Sequence, residues 1–241
     1  ACVPGAASPG DEAKDDNKTR LFRIAVSRTK YFVAQNSLQQ ILLLEKYRKN
    51  SLVIPNIWLN SFALAHDDTL REEILWVSNI RAVKQPELLF SIAAKLPFFK
   101  FIMVGGEYDS ALYQKCKEEA GNLLNVKFLG KMSFEKTNEL FAKAKLFICT
   151  SKKEGFPNTF LQAWSNNIPV ITTVDPSNVI MINQLGIVAT NSKEFLEAIY
   201  LLMTHPQLYM KMKSSIERYF KSTHDPDIHY KRMSREFGLQ D

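Results

Sequence analysis

The sequence is poor in the residues and apolar runs that several classes of protein need. Its 241 residues include three cysteines and four histidines, and the cysteines (Cys2, Cys116 and Cys149) share no metal-binding or redox spacing. No apolar run approaches the roughly 18 residues that span a bilayer. The P-loop motif GxxxxGK[ST] and the dinucleotide-binding motif GxGxxG are also absent. The sequence therefore calls for no oxidising compartment, predicts no membrane span and contains neither of these nucleotide-binding loops.

The composition is that of a folded globular protein. Hydrophobic residues make up 46% and charged residues 23% of the sequence, which is close to the average for globular domains. The net charge of +6 comes from cations that lie among glutamates, as in Lys115–Glu119, without the interleaved aromatics of an RNA-binding sheet. This pattern predicts solvated helix faces and no nucleic-acid partner, with peripheral contact with an anionic membrane surface as the alternative. We expect a cytoplasmic location, or the inner face of the membrane.

From Glu73 onward, short apolar runs alternate with amphipathic helical patterns. The strands are predicted at residues 73–78, 99–106, 125–130, 145–150 and 168–174, and the helices at 86–95, 110–123, 133–142, 159–167, 192–204, 206–220 and 228–237. Such alternation indicates right-handed βαβ units, and strands this apolar need cover on both faces. The predicted fold class is therefore α/β, with a doubly wound, Rossmann-like parallel sheet. Cys149 lies in one of the predicted strands and is expected to be a buried, inert thiol.

The region before residue 72 has a different pattern. A strand at 31–34, a helix at 37–46 and a strand at 51–55 are predicted there, and a unit of that size is too small to bury a core of its own. We interpret residues 21–57 as the tail of a preceding domain, residues 58–71 as a linker and residues 72–241 as the main domain. Residues 1–20 lack the apolar region of a signal peptide, and we expect them to form a disordered leader.

Polar residues and glycines follow three of the predicted strands, where parallel sheets bind their ligands. These are Asn79, Arg81 and Lys84 after the first strand, Gly105 and Gly106 in the turn after residues 99–104 of the second, and Glu154–Asn158 after the fourth. Glycines let a ligand approach the backbone closely, lysine and arginine bind phosphate oxygens, and a helix N-terminus attracts anions. Together these residues predict a diphosphate site.

The carboxylate of Glu154 would repel a phosphate, so we expect it to face sugar hydroxyls, which donate hydrogen bonds to an ionised acceptor. Gln162 lies eight positions later and is predicted to reach a second hydroxyl-bearing group such as a ribose. Asn158 and Thr159 are expected to cap the helix that follows. The residues alone also allow purely structural roles. The cations could lie on the surface, Glu154 could stabilise the start of a helix, and the glycine pair could form a tight turn.

These motifs together resemble the carboxyl-terminal donor-binding domain of GT-B glycosyltransferases, and specifically the retaining enzymes of family 4. The family pattern is a Glu, seven residues and a second Glu, whereas Glu154-Gly-Phe-Pro-Asn-Thr-Phe-Leu-Gln162 ends on an amide, as in some bacterial members. The segments Trp76–Glu87, Val104–Gly106, Val126–Gly130 and Ile168–Thr172 also look like family segments. The resemblance extends over about residues 30–240.

The resemblance implies two catalytic residues and a set of donor-binding residues. Glu154 would contact the donor sugar, and Lys84 would neutralise the diphosphate leaving group. The donor-binding set is Asn79, Arg81, Gly105, Gly106, Lys131, Met132, Gly155, Phe156, Pro157, Asn158, Thr159 and Gln162.

Within this set, the resemblance implies different contacts. The amides of Phe156–Thr159 are expected to hold the distal phosphate, and Gln162 the ribose. Lys131 and Met132 would pack against the base. The family commonly has an arginine where this chain has Asn79, so Arg81 is expected to supply that charge instead.

The implied reaction is glycosyl transfer from a nucleotide-diphospho-sugar, with retained configuration, in cell-surface glycan synthesis. No metal and no cofactor are expected, because cations and a helix end stabilise the leaving phosphate. The acceptor, a glycan or a lipid-linked glycan, would be held by an amino-terminal domain, of which residues 21–57 resemble only the tail. We therefore expect this chain to bind a nucleotide-sugar and to transfer little by itself. The alternatives are a non-catalytic nucleotide-sugar or partner-binding module and a GT-B nucleotide-sugar epimerase.

Overall fold

The computed structural model of the protein describes residues 24–58 and 71–238. These residues form two compact units, one of residues 24–58 and 222–238 and the other of residues 71–221. The predicted leader and positions 59–70 of the predicted linker lie outside the described residues.

The smaller unit opens with a short helical stretch at residues 24–28, which the pattern does not predict, followed by the predicted strand–helix–strand segment. Its elements are β1 (Val33–Ala34), α1 (Ser37–Tyr47) and β2 (Leu52–Val53), and the two strands pair in parallel. Asn36 caps α1, because its side chain accepts a hydrogen bond from the amide of Gln39 at 2.9 Å. The small apolar core of this unit contains Val26, Phe32, Ala34 and Leu43.

The larger unit is built on a six-stranded parallel sheet with helices between the strands. From residue 73 the elements are β3 (Glu73–Val77), α2 (Pro86–Ala93), β4 (Lys100–Val104), α3 (Ser110–Asn122), β5 (Val126–Phe128), α4 (Phe134–Lys143), β6 (Ala144–Cys149), α5 (Asn158–Ser165), β7 (Val170–Thr172), α6 (Val179–Asn183), β8 (Gly186–Val188), α7 (Ser192–Thr204) and α8 (Pro206–Thr223), of which the last two residues fall in the smaller unit. The strand order is β5-β4-β3-β6-β7-β8. The predicted doubly wound α/β fold is confirmed.

The chain reverses its direction across the sheet between β3 and β6. From β3 it winds outward through β4 to β5, and it then returns to the other side of β3 to form β6, β7 and β8. In such sheets, ligands bind in the crevice outside the carboxyl ends of the strands at the point of reversal. The topology therefore directs attention to the loops that follow β3 and β6.

The central strands are buried on both faces, which explains their continuous apolar sequence. Ile74 and Leu75 in β3 and Phe147 in β6 are at most 1% exposed. Val77 at the end of β3 pairs with Val104 at the end of β4. The loops after these two strands therefore leave the sheet side by side.

Two elements of the larger unit, α6 and β8, are missing from the sequence-based prediction. The three residues of β8 are only partly buried, and α6 is flanked by Asn178 and Gln184 in the left-handed region. A helix of five residues and a strand of three are also too short to show an apolar period. Gly186 is required at the start of β8, since an added Cβ would lie 1.9 Å from the carbonyl oxygen of Val170 in β7.

The last helix, α9 (Pro226–Phe237), corrects the predicted domain boundary. The main domain was expected to continue to the end of the chain, but residues 222–238 belong to the same compact unit as residues 24–58. The guanidinium of Arg232 donates to the carbonyl oxygen of Val53 at 3.0 Å. Contacts between such distant parts of the chain leave no local signal in the sequence.

His224 is a buried histidine of the smaller unit. Its Nδ1 lies 2.7 Å from the carbonyl oxygen of Asn56, and burial lowers the pKa of the imidazole to about 4. The ring is therefore neutral at pH 7 and has a structural role in this unit.

Among residues 24–58 and 71–238, no helix has both the length and the apolar character that crossing a bilayer requires.

Candidate functional site

A cleft of about 540 Å³ opens at the carboxyl edge of the larger unit's sheet, where the topology predicts a ligand site. The ends of β3, β4 and β6, the loop after β5 and the start of α5 form its walls. Most of the predicted site residues line it: Asn79, Lys84, Gly105, Gly106, Lys131, Met132, Glu154, Phe156, Pro157, Asn158 and Thr159.

Lys84 ends a short 3-10 turn, Ala82–Lys84, which hydrogen bonds tie to the end of β6. The hydroxyl of Thr150 donates to the carbonyl oxygen of Lys84 at 2.6 Å and accepts a hydrogen bond from the indole Nε1 of Trp76 at 2.9 Å. Trp76 and Thr150 are 2% and 1% exposed, so water does not compete for these bonds. The network fixes the backbone from which the Lys84 side chain extends into the cleft.

The ammonium of Lys84 and the carboxylate of Glu154 form an ion pair. The lysine lies on the loop after β3 and the glutamate on the loop after β6, so the pair joins the two halves of the sheet at their point of reversal. The side chains are only 19% and 16% exposed, and water and salt screen a partly buried pair less than a surface pair. The charged residues that line the cleft are Lys84, Lys131 and Glu154.

Helix α5 begins at the cleft without a side-chain cap. Pro157 occupies the N-cap position and Asn158 is the first helical residue, so the expectation that Asn158 and Thr159 cap this helix is wrong. A proline side chain has no oxygen to accept from the amides of the first turn. The positive end of the helix dipole is therefore directed at the cleft.

Phe156 lines the cleft and anchors its loop to the core. Its ring packs edge-on against the rings of Phe160 and Trp164, with centroids 6.4 and 6.1 Å away. Phe160 and Trp164 lie four residues apart and so share one face of α5. This contact holds the loop that carries Glu154 against the start of the helix.

Gly105 and Gly106 line the cleft for different physical reasons. An added Cβ on Gly105 would lie 2.4 Å from the carbonyl oxygen of Ser78, so this glycine is required where the loops after β3 and β4 pack together. An added Cβ on Gly106 would meet the side-chain oxygen of Asn79 at 3.2 Å. Backbone packing therefore requires Gly105, whereas a side chain at Gly106 would contact two other cleft residues, Asn79 and Lys131.

Three predicted residues, Arg81, Gly155 and Gln162, do not line the cleft. The guanidinium of Arg81 lies over the ring of Tyr108, 4.2 Å from its centroid. Gln162 is 6% exposed, and its Nε2 donates to Oδ1 of Asn138 at 2.9 Å. At Gly155 a Cβ would have open space around it. An aromatic ring and a buried amide therefore hold Arg81 and Gln162 away from the cleft.

The cleft also contains four hydroxyl-bearing residues that are not among the predicted site residues: Ser78, Thr137, Thr150 and Ser151. Three of them directly follow β3 or β6, so the strand-end rule that located Lys84 also applies to them. Thr137 lies in α4, and its position has no comparable signal in the sequence.

Cys149 ends β6 and lines the cleft as a buried thiol. Burial raises its pKa, so the thiol stays protonated near neutral pH, as expected for an inert cysteine.

Among the described residues, no cluster of three or more His, Cys, Asp or Glu side chains is arranged to hold a metal ion.

Solved glycosyltransferases share this architecture. Anabaena HepE, solved with UDP and glucose, has a TM-score of 0.73 and 16% identity over 93% of this chain and 67% of that protein. A variant of S. aureus TarM, solved with fondaparinux, alpha-GlcNAc-glycerol and UDP, has a TM-score of 0.73 and 18% identity over 92% of this chain and 47% of that protein. The fold is that of the GT-B glycosyltransferases.

The family assignment comes from the sequence comparison. Residues 58–219 match the family model described as glycosyl transferases group 1, a match to more than half of the chain, and the protein belongs to that family. It is 22% identical over 183 residues to the O-antigen biosynthesis glycosyltransferase WbnH of Escherichia coli, covering 76% of this chain and 46% of that protein. It is also 22% identical over 158 residues to the glycosyltransferase 1 domain-containing protein 1 of Xenopus tropicalis, covering 63% of this chain and 46% of that protein. The chain thus spans about half the length of these curated relatives.

Proposed function

We propose that this chain is the donor-binding half of a glycosyltransferase that takes a nucleotide-diphospho-sugar and transfers its glycosyl group with retention, as the resemblance to family 4 implies. The observation that carries the proposal is the position of Lys84, Glu154 and the start of α5 around one cleft at the sheet's point of reversal. Its volume of about 540 Å³ lies within the ordinary range for small-molecule sites. Both HepE and the TarM variant are solved in complex with UDP.

The diphosphate would bind to the positive groups of the cleft. Lys84 and Lys131 supply point charges, and the uncapped start of α5 offers backbone amides for the distal phosphate. As the bond to the sugar breaks, negative charge develops on the leaving nucleoside diphosphate, and these groups are already in place to stabilise it. Lys84 is therefore proposed as a catalytic residue, and the reaction needs neither a metal ion nor a cofactor.

The sugar would lie against Glu154, whose carboxylate accepts hydrogen bonds from hydroxyl groups and so orients the glycosyl group for transfer. Gly106 and Asn79 border the space available to the donor. Lys131 and Met132, on the loop after β5, would pack against the base.

Two of the expected donor contacts need side-chain movement. Gln162 reaches a ribose only after it releases Asn138, to which it donates at 2.9 Å. Arg81 reaches a phosphate only after it leaves the ring of Tyr108. We therefore assign the main phosphate-binding role to Lys84 and a minor, long-range electrostatic role to Arg81.

The acceptor would bind to a part of the whole protein beyond the matched region. The E. coli relative is named for O-antigen biosynthesis, which supports a glycan or lipid-linked glycan as the class of acceptor and cell-surface glycan synthesis as the role. A cytoplasmic location, at the face of the membrane where such acceptors are elongated, belongs to the same proposal.

Isothermal titration calorimetry with UDP, GDP and their sugar conjugates tests donor binding. Lys84→Met removes one of the two lysine charges of the cleft, and Lys100→Met removes the lysine charge of the Lys100–Glu72 pair at the opposite edge of the sheet. We expect the first variant to bind the nucleotide about 10- to 100-fold more weakly, since a hydrogen bond to a charged group contributes about 1.5–3 kcal/mol, and the second to bind normally. A folded chain that binds none of these compounds at millimolar concentration contradicts the proposal.

A further inference from the structure

We infer that the Lys84–Glu154 ion pair makes the affinity for the nucleotide depend on the sugar that it carries. The inference rests on the proposed function and adds a specificity mechanism to it. The pair must open before a diphosphate reaches Lys84, and only a donor with a sugar gives Glu154 new partners. The nucleoside diphosphate that remains after transfer therefore binds weakly and leaves.

The ammonium of Lys84 and the carboxylate of Glu154 are paired with each other in this structure. Among the described residues, each has the other as its only ion-pair partner. The carboxylate side chain is 16% exposed, so water solvates it poorly once the ammonium has moved away. The backbone of Lys84 is bound to Thr150 at 2.6 Å, which limits the change to a rotation of the lysine side chain.

A bare nucleoside diphosphate gains the ammonium of Lys84 and leaves the carboxylate of Glu154 unpaired. A partly buried charge that has lost its partner is strongly unfavourable, and here a phosphate of the same sign lies nearby. Both effects oppose the binding of the nucleotide. The attraction between Lys84 and the phosphate is therefore partly cancelled.

A donor that carries a sugar changes this balance. Its hydroxyl groups donate to the carboxylate, so Glu154 exchanges one partner for others and keeps its charge satisfied. The sugar thus contributes to affinity in two ways, through its own hydrogen bonds and through the release of Lys84 to the diphosphate. Discrimination between donor and product follows from this exchange.

The variant Glu154→Gln separates this mechanism from a simple sugar contact. Glutamine forms no ion pair, so Lys84 is available to the phosphate from the start. We expect UDP, or GDP if that is the nucleotide bound by the wild-type chain, to bind about tenfold more tightly, the equivalent of ~1.4 kcal/mol. The ratio of the affinities of nucleotide-sugar and nucleotide should fall, because the sugar no longer releases the lysine.

A matched control removes the same charge nearby without touching the pair. Glu107 lies on the loop after β4 at the same edge of the sheet, accepts a hydrogen bond from the Ser110 hydroxyl and does not line the cleft. We expect Glu107→Gln to change the affinity for UDP by less than about twofold, because a surface charge is screened over a Debye length. In the Lys84→Met background, Glu154→Gln should tighten UDP binding clearly less, because only the direct repulsion between carboxylate and phosphate is then left to remove; a double-mutant cycle measures this difference as the coupling of the pair.

The outcomes distinguish the inference from the function on which it rests. Tighter UDP binding by Glu154→Gln and by Glu154→Ala, but not by Glu107→Gln, supports the inference. If the wild-type chain binds UDP and the Glu154 variants, shown to be folded by thermal unfolding, bind it equally or more weakly, the inference is overturned and the proposed function stands. If the folded wild-type chain binds no nucleotide, the proposed function fails as well.

Discussion

The sheet of the larger unit carries a lysine–glutamate ion pair at each of its edges. At the amino edge, Lys100 and Glu72 lie 2.9 Å apart with side chains that are 67% and 65% exposed. At the carboxyl edge, Lys84 and Glu154 pair at the entrance to the cleft with side chains that are 19% and 16% exposed. The residue types are the same, and the difference lies in how far water reaches the charges.

That difference decides what each pair does. Hydrogen bonding to Glu72 raises the pKa of Lys100, but both groups remain in water, where such pairs contribute little. The Lys84–Glu154 pair is partly withdrawn from water, so each charge depends on the other or on a ligand that replaces it. The exposed pair therefore contributes little to stability or binding, whereas in the shielded pair a ligand can replace one charge as the partner of the other.

The largest effect is expected from a change that disrupts the carboxyl edge itself. In Gly105→Ala the new Cβ would lie 2.4 Å from the carbonyl oxygen of Ser78, so the loops after β3 and β4 must separate, at a loss of about 1–3 kcal/mol in stability. We expect nucleotide binding to be abolished and the urea midpoint to fall. Gly155→Ala, in open space, is the control and should retain both. Normal binding by Gly105→Ala would show that the packed loops do not shape the site.

A smaller effect is expected from loosening the turn that carries Lys84. Thr150→Val removes the hydroxyl that donates to the Lys84 carbonyl at 2.6 Å and leaves the buried indole N–H of Trp76 unpaired, a loss of about 1–3 kcal/mol in stability. We expect UDP to bind about tenfold more weakly, since misplacing a ligating group by an ångström has effects of that order or more.

Two further measurements show whether Thr150 acts by positioning Lys84 or only by stabilising the fold. The weakening should be smaller for UMP than for UDP, because it falls on the contact between Lys84 and the diphosphate. Thr150→Ser keeps the hydroxyl and should restore UDP binding. Equal weakening of UMP and UDP, or no rescue by serine, would refute the positioning role.

A still smaller effect is expected at the rim of the same edge. Arg81 lies over the ring of Tyr108 outside the cleft, so it acts on a bound diphosphate only through screened, long-range attraction. Arg81→Gln should weaken UDP binding by about twofold at low salt and not at high salt. A loss as large as that of Lys84→Met would mean that Arg81 swings into the cleft and makes the contact that the family resemblance implies.

The smallest effect is expected at the amino edge. Glu72→Gln breaks an exposed pair, and the thermal midpoint and the affinity for UDP should both stay unchanged within error. A clear change in either quantity would show that the two edges of the sheet are coupled. The comparison between the two ion pairs would then lose its basis.

The sequence predicts the elements of the carboxyl edge better than the contacts between them. Lys84 and Glu154 are both found by the rule that ligands bind where parallel strands end, but their pairing joins positions 70 residues apart and has no local signal. The same applies to Gln162, whose partner Asn138 lies 24 residues away. Which partner such a side chain binds depends on the folded structure, so the sequence pattern alone does not predict it.

The sequence predicts the fold least well where the apolar pattern is irregular. The strands and α-helices from β3 to β7 are predicted to within a few residues, whereas α6, which lies between two left-handed residues, and the partly buried β8 are missed. The place of α9 in the smaller unit depends on contacts such as that of Arg232 with Val53, which no periodicity reveals.

A crystal structure of this chain with UDP would show whether the nucleotide separates Lys84 from Glu154. We expect a diphosphate at the start of α5, with Nζ of Lys84 within hydrogen-bonding distance of a phosphate oxygen and no longer paired with Glu154. A nucleotide bound elsewhere on the larger unit, or bound in the cleft with the Lys84–Glu154 pair intact, would contradict this expectation.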